Sequence, residues 1–437
     1  MDNRRTSNKA TLKKHCIRLV TLVIGLNGFT SSAENNVASP IPGSLPPESI
    51  QKIVRPLLNE VRIAQQTRDL QGIQKNINKI VKSLGSWAAN PDTAPTYFSP
   101  IESTNPSRKP VSDLWQSIND DIHDKAMWRF VPDGNPKKMR RGLRAAARPV
   151  ITYSLLYSLK TYKQQEHLNI VKKGADYLLG LQQENGLFPM PDLRGKDERQ
   201  SVIINRIVRK NPDALNNGWI IADHRGELLY DHSTAGVAMV EAYRITKEQK
   251  YYNSAKKASQ WVMYQSIDTD WSNNAFGAWL LAGFYSISEQ EIFIMSAIDK
   301  LKYGVLPGLL INGRWLDPFN SKLVYHSINV RGMLAVLKQL PNDHVFRAEL
   351  VAKTRNAINN AARQITSNGA SSVSTSTEML IDGLEELGSN QHWLDALNIN
   401  LNATLKQLEN IRVGDVGVYL PKYMKYMKYI ENQKKSK

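Results

Sequence analysis

From residue 140 to residue 410 the chain repeats one theme, and this repetition constrains its fold more than any other feature. A segment rich in small and apolar residues is followed by a short turn and then by an amphipathic segment with a charged outer face. The apolar spacing predicts paired helices: 140–162 with 164–182, 232–246 with 248–265, 273–286 with 289–303, 326–340 with 344–367, and 374–387 with 390–410. Setting residue n against n+84 aligns Asn169 with Asn253, Lys172 and Lys173 with Lys256 and Lys257, and Tyr177 with Trp261, all in second helices of their pairs. A second similarity precedes two of the first helices. Trp219 and Asp223 lead to Leu228-Leu229-Tyr230-Asp231-His232-Ser233, and Trp315 and Asp317 lead to Leu323-Val324-Tyr325-His326-Ser327. Self-similarity built from alternating helices argues for a solenoid or a closed ring of helical hairpins.

The first helices carry Ala145, Ala146 and Ala147; Ala235, Gly236, Ala238 and Ala242; and Ala275, Gly277, Ala278, Ala282 and Gly283. Small side chains let neighbouring helices approach closely, as the inner wall of a double-layered ring requires. Ahead of this region, apolar residues from Ile53 to Val61 and from Leu70 to Leu84 recur at helical spacing and predict one more hairpin, within a segment 48–113 that ends in a proline-rich linker. The ring domain is expected over 114–421, followed by a basic tail at 422–437 that holds Tyr423, Lys425, Tyr426, Lys428 and Tyr429.

Residues 1–33 read as a cleavable signal peptide. Arg4, Arg5, Lys9, Lys13, Lys14 and Arg18 run into an apolar stretch from Leu19 to Phe29, and Thr30-Ser31-Ser32-Ala33 suits signal peptidase. Residues 34–47 form a flexible lead-in. The apolar stretch is too short to span a bilayer, so the mature chain is expected to be soluble, secreted or periplasmic. Losing the leader's six basic residues and Asp2 takes the formal charge from +17 to +12. It also removes the single cysteine, Cys16, which excludes disulfide scaffolds, thiolate metal sites and cysteine nucleophiles from the mature protein. With 9 Trp, 17 Tyr and 9 Phe the chain is no disordered polyelectrolyte, and its positive charge belongs on a folded surface.

The phrase Tyr230-Asp231-His232-Ser233-Thr234-Ala235-Gly236, continued by Glu241-Ala242-Tyr243, Lys250-Tyr251-Tyr252 and Trp261, resembles the repeat unit of (α/α) toroids among secreted carbohydrate-active enzymes. These include six-hairpin glycosidases and toroidal polysaccharide lyases. The resemblance covers roughly 140–410 and implies an all-α toroid of five or six hairpins, with short β-hairpin insertions and an N-terminal helical extension. It further implies a funnel lined by the starts of the inner helices and the loops before them. The longest such loop, 185–231, includes Asn185-Gly186-Leu187-Phe188-Pro189 and a hairpin from Trp219 to Tyr230.

The residues expected at that mouth are Arg140, Arg141 and Arg144; Trp219; Tyr230, Asp231 and His232; Asn273 and Asn274; Trp315 and Asp317; and Tyr325, His326 and Arg331. This set suits a uronic-acid polymer. Lyase chemistry neutralises the carboxylate with arginine or amide donors, while a His or Tyr takes the neighbouring proton and a Tyr protonates the leaving oxygen. Tyr230, His232, Tyr325 and His326 are thus expected proton carriers and Arg331 the neutraliser, with the two histidines sharing one cavity. Arg141, Trp219, Asp231, Asn273, Asn274, Trp315 and Asp317 are expected to hold substrate. The same residues also have structural readings: Ser233 and Ser327 fit helix N-caps, Asp231 fits a positive helix end, and Trp219 and Trp315 fit a core.

A glycoside hydrolase using Asp223, Asp231 or Asp317 is one alternative. A non-catalytic glycan-binding or envelope polysaccharide assembly protein is the other. Asp268, Asp270, Asn273 and Asn274 offer oxygens that calcium accepts but lack a calcium-loop spacing, so they read as an interhelix turn and no cofactor or metal is expected. Basic residues spread over outer helices, without one cluster of exposed aromatics, argue against a nucleic-acid partner.

Overall fold

The computed structural model describes residues 47–84, 134–139, 141–159, 164–223, 226–268, 270–316, 320–370 and 373–408. The expected leader and basic tail and the lead-in up to residue 46, together with Arg140, His224, Arg225 and Asp317, lie outside them, while Pro47, expected in the lead-in, already begins a helix. The chain divides into two units, Met1–Ser99 and Pro100–Lys437. The first contains the predicted N-terminal hairpin, α1 (Pro47–Gln66) and α2 (Leu70–Leu84). Leu58, Val61 and Ala64 face Ile73, Ile77 and Ile80 in its buried seam. Asp69 caps α2 by accepting from the Gly72 N–H at 2.9 Å.

In the second unit all five predicted hairpins form. They are α3 (Arg144–Ser158) with α4 (Gln164–Leu181), α6 (Glu227–Thr246) with α7 (Gln249–Tyr264), α8 (Trp271–Ser288) with α9 (Glu291–Gly304), α10 (Leu323–Leu337) with α11 (Arg347–Asn368), and α12 (Val373–Leu387) with α13 (Gln391–Leu408). The first helices α3, α6, α8, α10 and α12 pack against one another in that order, and each second helix lies on the outside of its own partner. Residues 231–240 of α6 and 271–278 of α8 are buried without a break, as helices enclosed on all sides must be. Small residues make this approach possible: a Cβ on Gly332 of α10 would stand 2.7 Å from the Ala275 carbonyl oxygen of α8. Among the described residues no helix is long and apolar enough to cross a membrane.

The long loop between α4 and α6 folds into a small insertion. Helix α5 (Glu198–Lys210) and three two-residue strands, β1 (Met190–Pro191), β2 (Leu215–Asn216) and β3 (Trp219–Ile220), surround their own core of Met190, Leu193, Ile204, Ile207, Ala214 and Ile220. The strands pair antiparallel in the order β1-β3-β2, with Asn216 opposite Trp219 across an Asn217-Gly218 turn. The hairpin is therefore β2–β3, and not the expected Trp219 to Tyr230, because Tyr230 is already helical.

Two hairpin turns, at the ends of α6 and α8, place a non-glycine residue in the left-handed region: Lys247 at φ 59° and Glu289 at φ 55°. Glu289 is exposed, so Glu289→Gly should relieve the strain and raise stability by about 0.5–1 kcal/mol. An unchanged or lower urea midpoint would contradict this.

Candidate functional site

The five inner helices meet along a continuous row of cations and aromatic rings. Arg144, the first residue of α3, lies over the Tyr230 ring of α6 at 4.6 Å from its centre. Tyr230 stacks on Phe276 of α8, with ring centres 4.2 Å apart and planes inclined by 23°. Arg331 of α10 lies over Trp279, three residues beyond Phe276, at 4.2 Å, and over Phe276 itself at 5.4 Å. At the far end Arg331 Nη1 donates to Glu378 Oε2 of α12 at 3.4 Å. At the near end Arg144 Nη1 donates to Asp231 Oδ1 at 2.8 Å, and this carboxylate raises the Arg144 pKa further above its ordinary value.

Rings and carboxylates fix both guanidiniums but leave them unsaturated. Each offers five N–H donors, and among the described residues each engages one. The side chains remain 29% exposed at Arg144 and 15% at Arg331, so the unused donors reach solvent from an otherwise enclosed setting. The Tyr230 hydroxyl makes no hydrogen bond among the described residues. The arrangement can hold an anion against aromatic faces, with one free phenol beside it.

The expected site is only partly brought together. Tyr230, Asp231 and Arg331 are in the row with Arg144, whereas His232 and His326 are not. Each imidazole is fully buried between its own inner and outer helix. His232 Nε2 donates to the Ala258 carbonyl of α7 at 3.0 Å, Nδ1 accepts from the Phe188 N–H at 3.0 Å, and Trp261 packs on the ring at 4.4 Å. His326 Nε2 donates to the Ala357 carbonyl of α11 at 2.9 Å, with Trp315 edge-on at 4.9 Å. Burial lowers both pKa values to about 4. The shared cavity is absent because the hairpin α8/α9 stands between the two, and these rings serve as interlayer ties.

The ties belong to a recurring corner. Asn185-Gly186 and Asn312-Gly313 make equivalent turns, in which each Asn side chain accepts from the N–H two residues on. Each glycine has positive φ and lies so close to the outer helix that a Cβ would stand 2.3 Å from the carbonyl oxygen of Lys257 or Asn356. These are the carbonyls immediately before the ones the histidines hold. Phe188 and Trp315 follow the two turns and close them over the imidazoles.

Other expectations change for local reasons. Helices α6 and α10 begin before their Tyr-His-Ser motifs, so Ser233 and Ser327 are interior residues and not caps; Ser327 Oγ donates to the Leu323 carbonyl at 2.7 Å. Trp315 is fully buried and offers no face to a sugar. Asn274 is also buried, its Nδ2 donating to the Asp268, Asp270 and Gly304 carbonyls, which ties the start of α8 to the end of α9. Asn273 turns toward Asp268 at 3.4 Å, and Asp270 caps α8, so this oxygen cluster is engaged in the turn. Among the described residues no group of three or more His, Cys, Asp or Glu is placed to hold a metal. Arg141 is exposed just ahead of α3, Trp219 is half-buried in β3, and Tyr325 is half-buried in the first turn of α10. Sequence reasoning missed Phe276, Trp279 and Glu378; the aromatic pair at i, i+3 in an otherwise small-residue helix was the available signal.

No protein-family model matches the sequence, and no curated protein matches it. Among solved structures, a polysaccharide lyase matches with a TM-score of 0.52 and 13% identity, over 74% of this chain and 97% of its own. The chain folds as an (α/α) toroid. A glycosyl hydrolase family 88 protein from Bacteroides vulgatus matches with a TM-score of 0.48 and 11% identity, over 73% of this chain and all of its own. Identities this low speak for the backbone and not for the reaction. The arginine and aromatic row crosses all five inner helices of the toroid, from the first residue of α3 to the third turn of α10.

Proposed function

We propose that this is an exported carbohydrate-active protein that binds an acidic, uronic-acid polysaccharide along the row and cleaves it by β-elimination. The observation that carries the reading is the pair of guanidiniums, held on aromatic faces with most donors unused among the described residues. Apolar ring surface suits the faces of sugars, and fixed arginine donors suit their carboxylates. Neutralising the carboxylate stabilises the enolate charge that develops when the adjacent carbon loses its proton. The C–H electrons form the new double bond, the glycosidic C–O bond breaks, and the leaving oxygen takes a proton. Tyr230 is the expected proton carrier that lies on the row, with Tyr325 at the start of α10 as a second. Arg141 and Trp219 are assigned as further substrate contacts. The leader at 1–33 supports export.

Hydrolysis is less well supported, since Asp231 and Glu378, the carboxylates on the row, are each paired with an arginine. Incubation with polygalacturonate, alginate, hyaluronan and chondroitin sulfate should generate the ultraviolet absorbance of unsaturated ends. Tyr230→Phe should lower kcat about 10²–10⁴-fold while leaving binding intact. New reducing ends without absorbance would replace the lyase reading by hydrolysis, and binding without either signal would leave a glycan-binding protein.

A further inference from the structure

The connections leading into the inner helices are very unequal. The loop before α12 runs only over 369–372 and that before α8 over 265–270, whereas 182–226 precedes α6 and carries the insertion. The insertion is attached to α6, which supplies Tyr230 and Asp231, and to the segment 136–137 ahead of α3, which supplies Arg144. Leu228, in the first turn of α6, is part of its core. On the other side, Lys196 Nζ donates to the Pro136 and Lys137 carbonyls at 3.3 and 2.7 Å, on the segment that feeds α3. Gly218 packs on the same segment, where a Cβ would stand 3.0 Å from the Pro136 side chain. Asp197, the N-cap of α5, adds to the negative field at Arg144. A folded body with its own core and ties at both sides is a fixed wall, not a mobile flap.

We infer that this insertion closes the row at its Arg144 end, making the site one for glycan chain ends. The inference rests on the acidic-glycan reading and specifies the substrate as a terminus. A terminus lying against Asp197, itself anionic, would be disfavoured if it carried a further negative group beyond the carboxylate held by Arg144.

The test uses the full chain and size-fractionated polygalacturonate, alginate and hyaluronan, with binding followed by tryptophan fluorescence, to which Trp279 beneath Arg331 contributes. If ends are recognised, a fraction with tenfold longer chains reaches half-saturation at about tenfold higher sugar mass, because ends and not residues are counted. Half-saturation at constant sugar mass across all sizes overturns the chain-end inference alone. No binding of any acidic fraction overturns the acidic-glycan reading beneath it. Lys196→Ala, which releases the tie to 136–137, should shift long chains toward sugar-mass behaviour while short oligosaccharides bind as before; a uniform loss at all lengths would count against the wall.

Discussion

Between pH 6.5 and pH 4 the protein should lose about 5 kcal/mol of folding stability through two histidines, enough to unfold a typical domain. His232 and His326 are held neutral in the folded chain, with pKa values near 4 against 6.5 for an ordinary imidazole. The cause is burial, opposed only in part by the bonds to the Ala258 and Ala357 carbonyls. On acidification the unfolded chain therefore binds protons first. The stabilisation is complete about one pH unit above 6.5 and drains as pH falls through 6.5 toward 4, by about 3 kcal/mol per histidine from that plateau to pH 4. Urea unfolding at intervals of pH measures the slope. Carboxylates titrate at the lower end of the same range, so His232→Gln/His326→Gln isolates the imidazole contribution: its stability should be much flatter from pH 6.5 to 4. A double variant with the slope of the parent would show that these rings are not the source. The same measurement bears on function, because an imidazole neutral, buried and tied on its donor nitrogen at neutral pH has no free role in proton transfer.

That outcome shows what kind of information the sequence holds. Helical pairing was legible because burial of one face leaves a periodic imprint, as in Ile53 to Val61, and because small residues mark helices enclosed on all sides, as in Ala235 to Ala242. The two histidines were legible as positions but not as roles. The Tyr-His-Ser recurrence came from a repeated corner, in which Gly186 and Gly313 pack against one carbonyl of an outer helix while His232 and His326 hydrogen-bond to the next. The Asn-Gly turns that complete it were present at 185–186 and 312–313, and the pairing of turn with histidine identifies a structural device. The row was harder to see. Arg144, Tyr230, Phe276, Arg331 and Glu378 come from five helices, and which residues meet depends on the relative shift of those helices along their axes. Periodicity fixes the face of a helix but not that shift, so Phe276, Trp279 and Glu378 were not singled out.

Arg144→Met should cost about 3–5 kcal/mol of stability, because it strands a buried carboxylate. Asp231 is 3% exposed, Arg144 is its ion-pair partner, and its second oxygen has no partner among the described residues. That oxygen is pressed against the backbone at Gly142, where a Cβ would stand 1.9 Å from it, so the carboxylate cannot swing toward water on that side. Removing the charge at both positions separates stability from recognition. Arg144→Met/Asp231→Asn leaves no uncompensated ion and should recover most of the lost stability. It should nevertheless remain deficient in acidic-glycan binding by about 2–5 kcal/mol, a factor of tens to thousands in Kd, while affinity for a carboxyl-reduced form of the same glycan changes little. If the double variant binds the acidic glycan as the parent does, Arg144 is a structural ion and the row's anion site reduces to Arg331. If the single variant is as stable as the parent, the Arg144–Asp231 ion pair contributes nothing to stability, and the pair loses its place as the fixed end of the site.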